Sequence, residues 1–172
     1  MNIYRNSCGD CCPRVCYIPW HPTTPTARPY ASFLVNGTSV ASGTSLTFTP
    51  QINKGGTTIT GGSTTALTLA AGHIYQVDYT VNGTAASTGL VQITPYVNGT
   101  AIPYGQANEV TQESPNNQFT LSGSFLVDAT NAPATLSLQY TGAGAATFTG
   151  NVIVREIDCT QNTTTTPTYP CY

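Results

Sequence analysis

Ile74-Tyr-Gln-Val-Asp-Tyr-Thr-Val81 is the stretch from which the fold is read. Tyr75, Val77, Tyr79 and Val81 alternate with Gln76, Asp78 and Thr80. A period of two belongs to a strand with one face in a core and the other in water. Aromatic and β-branched residues fill the apolar positions, and both suit a pleated surface. Strict alternation puts Asp78 on the polar face, as a solvated or subunit-contact residue. Asn82-Gly83 follows directly and reads as a hairpin turn, because both residues tolerate the positive φ such a turn needs.

The same pattern repeats on either side. Tyr30–Val35 is apolar and ends at Asn36-Gly37. Ser45–Ile52 sets Leu46, Phe48 and Pro50 against Thr47 and Thr49, and Gly55-Gly56 follow. Ala66–Leu69 leads into Ala71-Gly72, and Leu90–Val97 into Asn98-Gly99. Gln118–Val127 alternates through Phe119, Leu121, Phe125 and Val127. Ala134–Tyr140 places Leu136, Leu138 and Tyr140 on one face, and Thr147–Ile157 holds Val152, Ile153 and Val154. No segment keeps a helical period. Short strands punctuated by turns predict an all-β antiparallel sandwich or barrel.

Composition limits what such a body does. Only 7% of the 172 residues are charged, against about 25% in ordinary domains. Arg5, Arg14, Arg28, Lys54 and Arg155 are scattered, so no basic patch exists to neutralise phosphates, and no nucleic-acid partner is expected. No apolar run approaches the roughly 18–20 residues of a membrane helix, so no membrane partner is expected either. A net charge of −2 gives little colloidal repulsion and favours association. With one lysine in the chain, a usual guard of exposed sheet edges is missing.

The six cysteines lie only in the tails: Cys8, Cys11, Cys12 and Cys16 at the start, Cys159 and Cys171 at the end. The body is long enough to fold without staples, so these thiols are free for links between copies. Two other readings stand beside that one. Cys8-x2-Cys11 is half of a zinc site, but Cys12 and Cys16 do not repeat it. The same pair has the spacing of a thiol–disulfide oxidoreductase, but no strand–helix unit surrounds it. Adjacent Cys11 and Cys12 do not pair with each other in relaxed geometry and more naturally bond two partners. The disulfide reading is taken, with no metal and no cofactor.

Organisation follows: a Cys/Pro-rich connector over 1–29, the strand-rich body over 30–157, and a Thr-rich tail with cysteines over 158–172. Residues 18–30 carry four prolines, a semi-rigid spacer that spans on the order of 40 Å at about 3.1 Å per residue. Pro19 and Trp20, the sole tryptophan, sit in it and are taken as docking residues, on the chain's own body or on a neighbouring subunit. The first residues have no apolar core of a secretory signal, so cytosolic synthesis and release by lysis are expected.

Catalytic signals are weak. No Ser–His–Asp motif, phosphate loop or metal-binding histidine cluster is present, and no enzyme activity is expected. His73 is placed at a turn before its strand, and Glu109 and Glu113 in a solvated loop. Asn36, Asn82, Asn98 and Asn162 begin glycosylation sequons in form, the first three better read as turns.

The order of segments resembles a known family. Ala71-Gly-His-Ile-Tyr-Gln-Val-Asp-Tyr-Thr-Val-Asn82 is similar to a strand of the complement globular-head/tumour-necrosis-factor-like (TNF-like) jelly rolls, nearest to the C-terminal domain of collagen-like exosporium glycoproteins of Bacillus spores. Leu90-Val-Gln-Ile-Thr-Pro-Tyr-Val-Asn-Gly-Thr-Ala-Ile-Pro103 is similar to that group's next strand. Gln118–Ala129, Ala134–Gly142 and Ala145–Ile157 fit its last three. The Gly-X-Y stalk is absent, and the cysteine tails resemble the connectors of endospore appendage (Ena-type) subunits. The resemblance implies a TNF-like jelly roll forming homotrimers. It implies further an extracellular spore-surface fibre of stacked trimers, cross-linked by tail disulfides and held by a spore-surface anchor protein. The alternative it leaves is a trimeric adhesin or receptor-binding head, on a spore or a phage fibre, that binds through loops such as Gly99–Gln118.

Overall fold

The structure, a computed structural model, describes residues 28–61, 64–113 and 117–159. Eleven strands run through them: β1 Tyr30–Val40, β2 Thr47–Asn53, β3 Ile59–Thr60, β4 Leu67–Leu69, β5 His73–Ala85, β6 Gly89–Val97, β7 Thr100–Ala101, β8 Ala107–Thr111, β9 Gln118–Ala129, β10 Ala134–Gly142 and β11 Ala146–Cys159. No α-helix occurs among the described residues, only a 3-10 turn at Pro103–Gly105. The strands form two sheets. One has the order β2-β1-β11-β5-β9; the other is β3-β4-β10-β6-β7, with β8 also on β6. Every pairing is antiparallel.

The alternation read from Ile74–Val81 holds. Tyr75, Val77, Tyr79 and Val81 are buried, and Gln76, Asp78 and Thr80 face outward. Phe33, Phe48, Ile93, Leu136, Leu138 and Val152 come from the other strands to close the core between the sheets. The buried phenols reach carbonyls at the rim. Tyr75 donates to Thr58 and Ala70 at 3.2 and 3.1 Å, Tyr79 to Gly105 at 2.8 Å, and Tyr140 to Gly144 at 2.6 Å. Aromatic bodies thus fill the core without stranding a polar tip.

Two of the three Asn-Gly turns do not exist. Asn36-Gly37 lies inside β1 and Asn82-Gly83 inside β5. Asn98-Gly99 alone turns a hairpin, with φ of 51° and 77°. Gly83 is there for want of space. It sits opposite Phe148 on β11 and Phe119 on β9, whose rings meet edge to face at 5.4 Å. A Cβ at Gly83 would stand 2.1 Å from the Thr147 carbonyl oxygen.

Three further differences concern edges. Pro50 is exposed rather than in line with Leu46 and Phe48, on edge strand β2, where its missing N–H costs nothing. Glu109 stands on a strand, β8, and not in a loop. The last strand continues past 157 to Cys159. The rest of the connector and tail, including Cys8, Cys11, Cys12, Cys16, Cys171, Pro19 and Trp20, lies outside the described residues.

Candidate functional site

The two ends of the body meet. Tyr30, opening β1, pairs with Arg155 near the end of β11. The Arg28 guanidinium donates to the Ile157 carbonyl, and the Glu156 N–H to the Pro29 carbonyl at 2.9 Å. A groove of about 430 Å³ runs here between Arg28, Pro29, Tyr30, Ile153, Arg155 and Glu156. Both cysteine-bearing tails are therefore attached at one end of the sandwich.

A bulge shapes this end. Glu156 pairs with Tyr75, but Asp158 pairs with Ile74, so Ile157 has no partner on β5. An extra residue shifts everything after it to the other face. Cys159 thereby lands opposite His73. His73 lies two positions from buried Tyr75 and so shares its face, and the rings are 5.8 Å apart. Glu156 is on that face as well, only 6% exposed, with Oε2 3.0 Å from His73 Nδ1. The contact is at ion-pair distance without meeting the alignment of a hydrogen bond. Nδ1 is buried beside this carboxylate, and no hydrogen bond satisfies it. Burial, with the Glu156 carboxylate adding to it, pushes the Tyr75 hydroxyl up to about 12. Cys159 is half-buried and forms no disulfide among the described residues.

The outward face of the five-stranded sheet is a second candidate surface. Register aligns Asn36, Thr149, Asn82 and Thr120 in one row and Leu34, Asn151, Thr80 and Ser122 in the next. Beyond them, Arg155 pairs with Asp78 at 2.7 Å, and Ser124 donates to the same carboxylate at 2.6 Å. A cleft of about 510 Å³ opens beside Asn82, Thr84, Gln118 and Thr120. Glu109 closes one side, its carboxylate accepting the Thr120 N–H at 3.1 Å. That N–H points off the open edge of β9, so Glu109 stands in for a missing strand at one position.

Of the cross-linking and docking residues expected from sequence, the structure describes Cys159 alone. His73 opens the strand rather than sitting in a turn. Its meeting with Glu156 and Cys159 has no sequence signature, since the partners lie on strands far apart in the chain. Among the described residues, no group of three or more His, Cys, Asp or Glu is placed to hold a metal ion. No described helix is long and apolar enough to cross a membrane.

No family model and no curated protein matches this chain. Solved structures do. The globular domain of zebrafish complement 1qA protein superposes with a TM-score of 0.59 at 12% identity, over 77% of this chain and 99% of that one. Murine APRIL at pH 5.0 gives 0.52 at 9% identity, over 72% and 98%. Eiger TNF from S. frugiperda gives 0.51 at 7% identity, over 80% and 99%. At such identities the likeness concerns the fold, and the fold is an antiparallel jelly roll of the complement-head/TNF type.

Proposed function

We propose that this chain is a structural, self-assembling subunit of an extracellular fibre on a spore surface, in which stacked trimers are cross-linked by tail disulfides. Trimers are the habit of this fold's ligand domains. The jelly roll over 30–157 is the building block, 1–29 the connector to the next layer and 158–172 a second linking tail.

The observation that carries this reading is the shared attachment point of the two tails. With Arg28 bonded to Ile157 and Tyr30 paired with Arg155, both tails join the body at one end. A link between two such ends closes a dimer, whereas a link to the opposite end repeats without closing. At the opposite end, the turns at 41–44, 86–88 and 143–145 are small and uncharged, and Glu113 is the charged residue described there. β5, 13 residues long, gives the body a height of about 44 Å at roughly 3.4 Å per residue. That matches the connector's reach of about 40 Å.

Electron microscopy and non-reducing electrophoresis of the purified protein test this. Filaments that run as high-mass species and collapse to monomer on reduction are expected. Exchanging Cys11 and Cys12 for Ser should leave filaments that fall apart in heat or acid. Filaments that run as monomer without reductant would overturn the cross-linking.

The second reading, a discrete trimeric adhesin or receptor-binding head, is favoured by one feature. Leu90 on β6 and Val110 on β8 are cross-strand neighbours and stay exposed, Val110 at 70%. Apolar pairs of this kind commonly mark contact sites. Isolated trimers with measurable glycan or cell binding would decide for it.

A further inference from the structure

We infer that Cys159, His73 and Glu156 form a thiol-activating cluster at the root of the tails, which makes Cys159 the nucleophile that opens disulfides. Its role in assembly rests on the fibre reading above; its chemistry does not.

Three observations carry the inference. First, Cys159 and His73 are directly opposed on adjacent antiparallel strands, a relation that brings Cβ atoms within about 4.5–5.5 Å on one face. Second, the buried Glu156 carboxylate stands 3.0 Å from Nδ1 of that imidazole, so Nε2 is the nitrogen the ring can offer to the thiol. Third, the bulge at Ile157 is what places the thiol there. Regular pairing would have put Asp158 opposite His73 and turned Cys159 away. Such bulges commonly re-aim a side chain next to a functional site. A thiol next to an imidazole that a carboxylate orients is the arrangement by which proteins raise sulfur nucleophilicity.

The reaction is thiol–disulfide exchange. The Cys159 S–H proton passes to His73 Nε2 as the sulfur attacks one sulfur of an accessible disulfide. A new S–S bond joins Cys159 to that sulfur and the old bond breaks. The departing sulfur takes the proton back from the imidazolium and leaves as a thiol. One disulfide and one thiol enter, and one of each leaves, so no outside oxidant is needed. The substrate class is a solvent-accessible disulfide, such as one already formed in the tail of a second copy.

The test uses the full chain with Cys8, Cys11, Cys12, Cys16 and Cys171 changed to Ser. The aromatic disulfide 5,5′-dithiobis(2-nitrobenzoic acid) is the probe, and its second-order rate is followed from about pH 5 to pH 9.5. The other ionisable groups around the pair are Tyr75 on β5, Glu156 and Asp158 on β11, Asp128 on β9, and Arg28 before β1. His73→Gln should slow the reaction about tenfold or more near pH 6.5 and leave it unchanged near pH 9.5, where free thiols are ionised without help. Glu156→Gln should give an intermediate loss. A pH–rate profile of His73→Gln that superimposes on the parent's overturns the inference, as does equal slowing at every pH, which would mean altered access. If His73→Gln loses its thermal unfolding transition, Glu156→Gln carries the same test. Absence of filaments in the parent would count against the fibre and leave these rates as they are.

Discussion

Gly83→Ala should destabilise the protein far more than Gly99→Ala, although both glycines follow an asparagine that reads as a turn. At Gly99 φ is 77° and nothing lies within 4 Å of an added Cβ. The cost there is the left-handed backbone alone, about 1–2 kcal/mol. Gly83 has ordinary strand φ but no room. Its Cβ would meet the Thr147 carbonyl oxygen at 2.1 Å and Phe119 Cζ at 2.4 Å. The ring can turn, but the carbonyl belongs to the β5–β11 ladder and moves only with the strand. Overpacking of this kind costs about 1–3 kcal/mol, sometimes more. Turning Phe119 also breaks its edge-to-face contact with Phe148, worth about 0.5–1.5 kcal/mol. Together these give about 1.5–4.5 kcal/mol, or a melting temperature lowered by roughly 3–18 °C at about 2–4 °C per kcal/mol, and the clash with a fixed carbonyl puts Gly83 toward the upper end. Thermal unfolding followed by circular dichroism measures both variants. Phe119→Leu in the Gly83→Ala background should recover only part of the loss, because the carbonyl clash remains. If Gly83→Ala costs no more than Gly99→Ala, Asn82-Gly83 is a turn after all and the long β5 is wrong.

Two more outcomes follow from the core and the hairpin. Burial pushes the Tyr75 and Tyr79 hydroxyls up to about 12, with Glu156 adding to the effect at Tyr75. The folded state holds these protons longer than the unfolded chain, so their contribution is complete below about pH 10 and is lost as pH rises from there to about 12. With the phenol tips near the rim and partly screened, about 1–2 kcal/mol each is expected. Urea unfolding at stepped pH reads it, and Tyr79→Phe should flatten the fall; an equally steep fall in that variant rules out Tyr79 as a source. At the one Asn-Gly hairpin, Asn98 Oδ1 accepts the Thr135 N–H at 2.8 Å and its hydroxyl at 3.2 Å, with φ at 51°. Asn98→Ala should cost about 1–2 kcal/mol, and Asn98→Asp, which keeps the acceptor, should recover most of it. If Asp behaves like Ala, the acceptor role is wrong.

Period-two patterning made most of the fold legible, and it failed where two physical causes share one residue signature. Glycine marks both a turn that needs positive φ and a strand position where another chain comes too close for a Cβ. Asn82-Gly83 and Asn98-Gly99 look identical in sequence. Only the facing residues, Phe119, Thr147 and Phe148 against open solvent, separate them, and these are set by tertiary pairing. The short strands β3 and β7 leave no pattern in the sequence because two residues hold no period. β8 leaves none because Asn108, Glu109 and Val110 are all exposed, so no alternation of burial exists to be read.

The site was hidden for a related reason. Cys159 reads as part of the tail because composition changes there, from alternating apolar residues to a threonine run. Chain register decides otherwise. From Val152 to Glu156 the strand alternates inward and outward, and unbroken alternation would send Asp158 to the interior face and Cys159 to solvent. One unpaired residue, Ile157, reverses both. The reversal keeps an acidic side chain out of the face where Glu156 already sits, and it sets Cys159 opposite His73, whose ring lies beside that carboxylate. A bulge carries no residue signature of its own, since Ile157 is as good a strand former as Ile153. The consequence for chemistry is nevertheless large. It separates a cysteine that is merely within reach of a partner from one whose proton has somewhere to go.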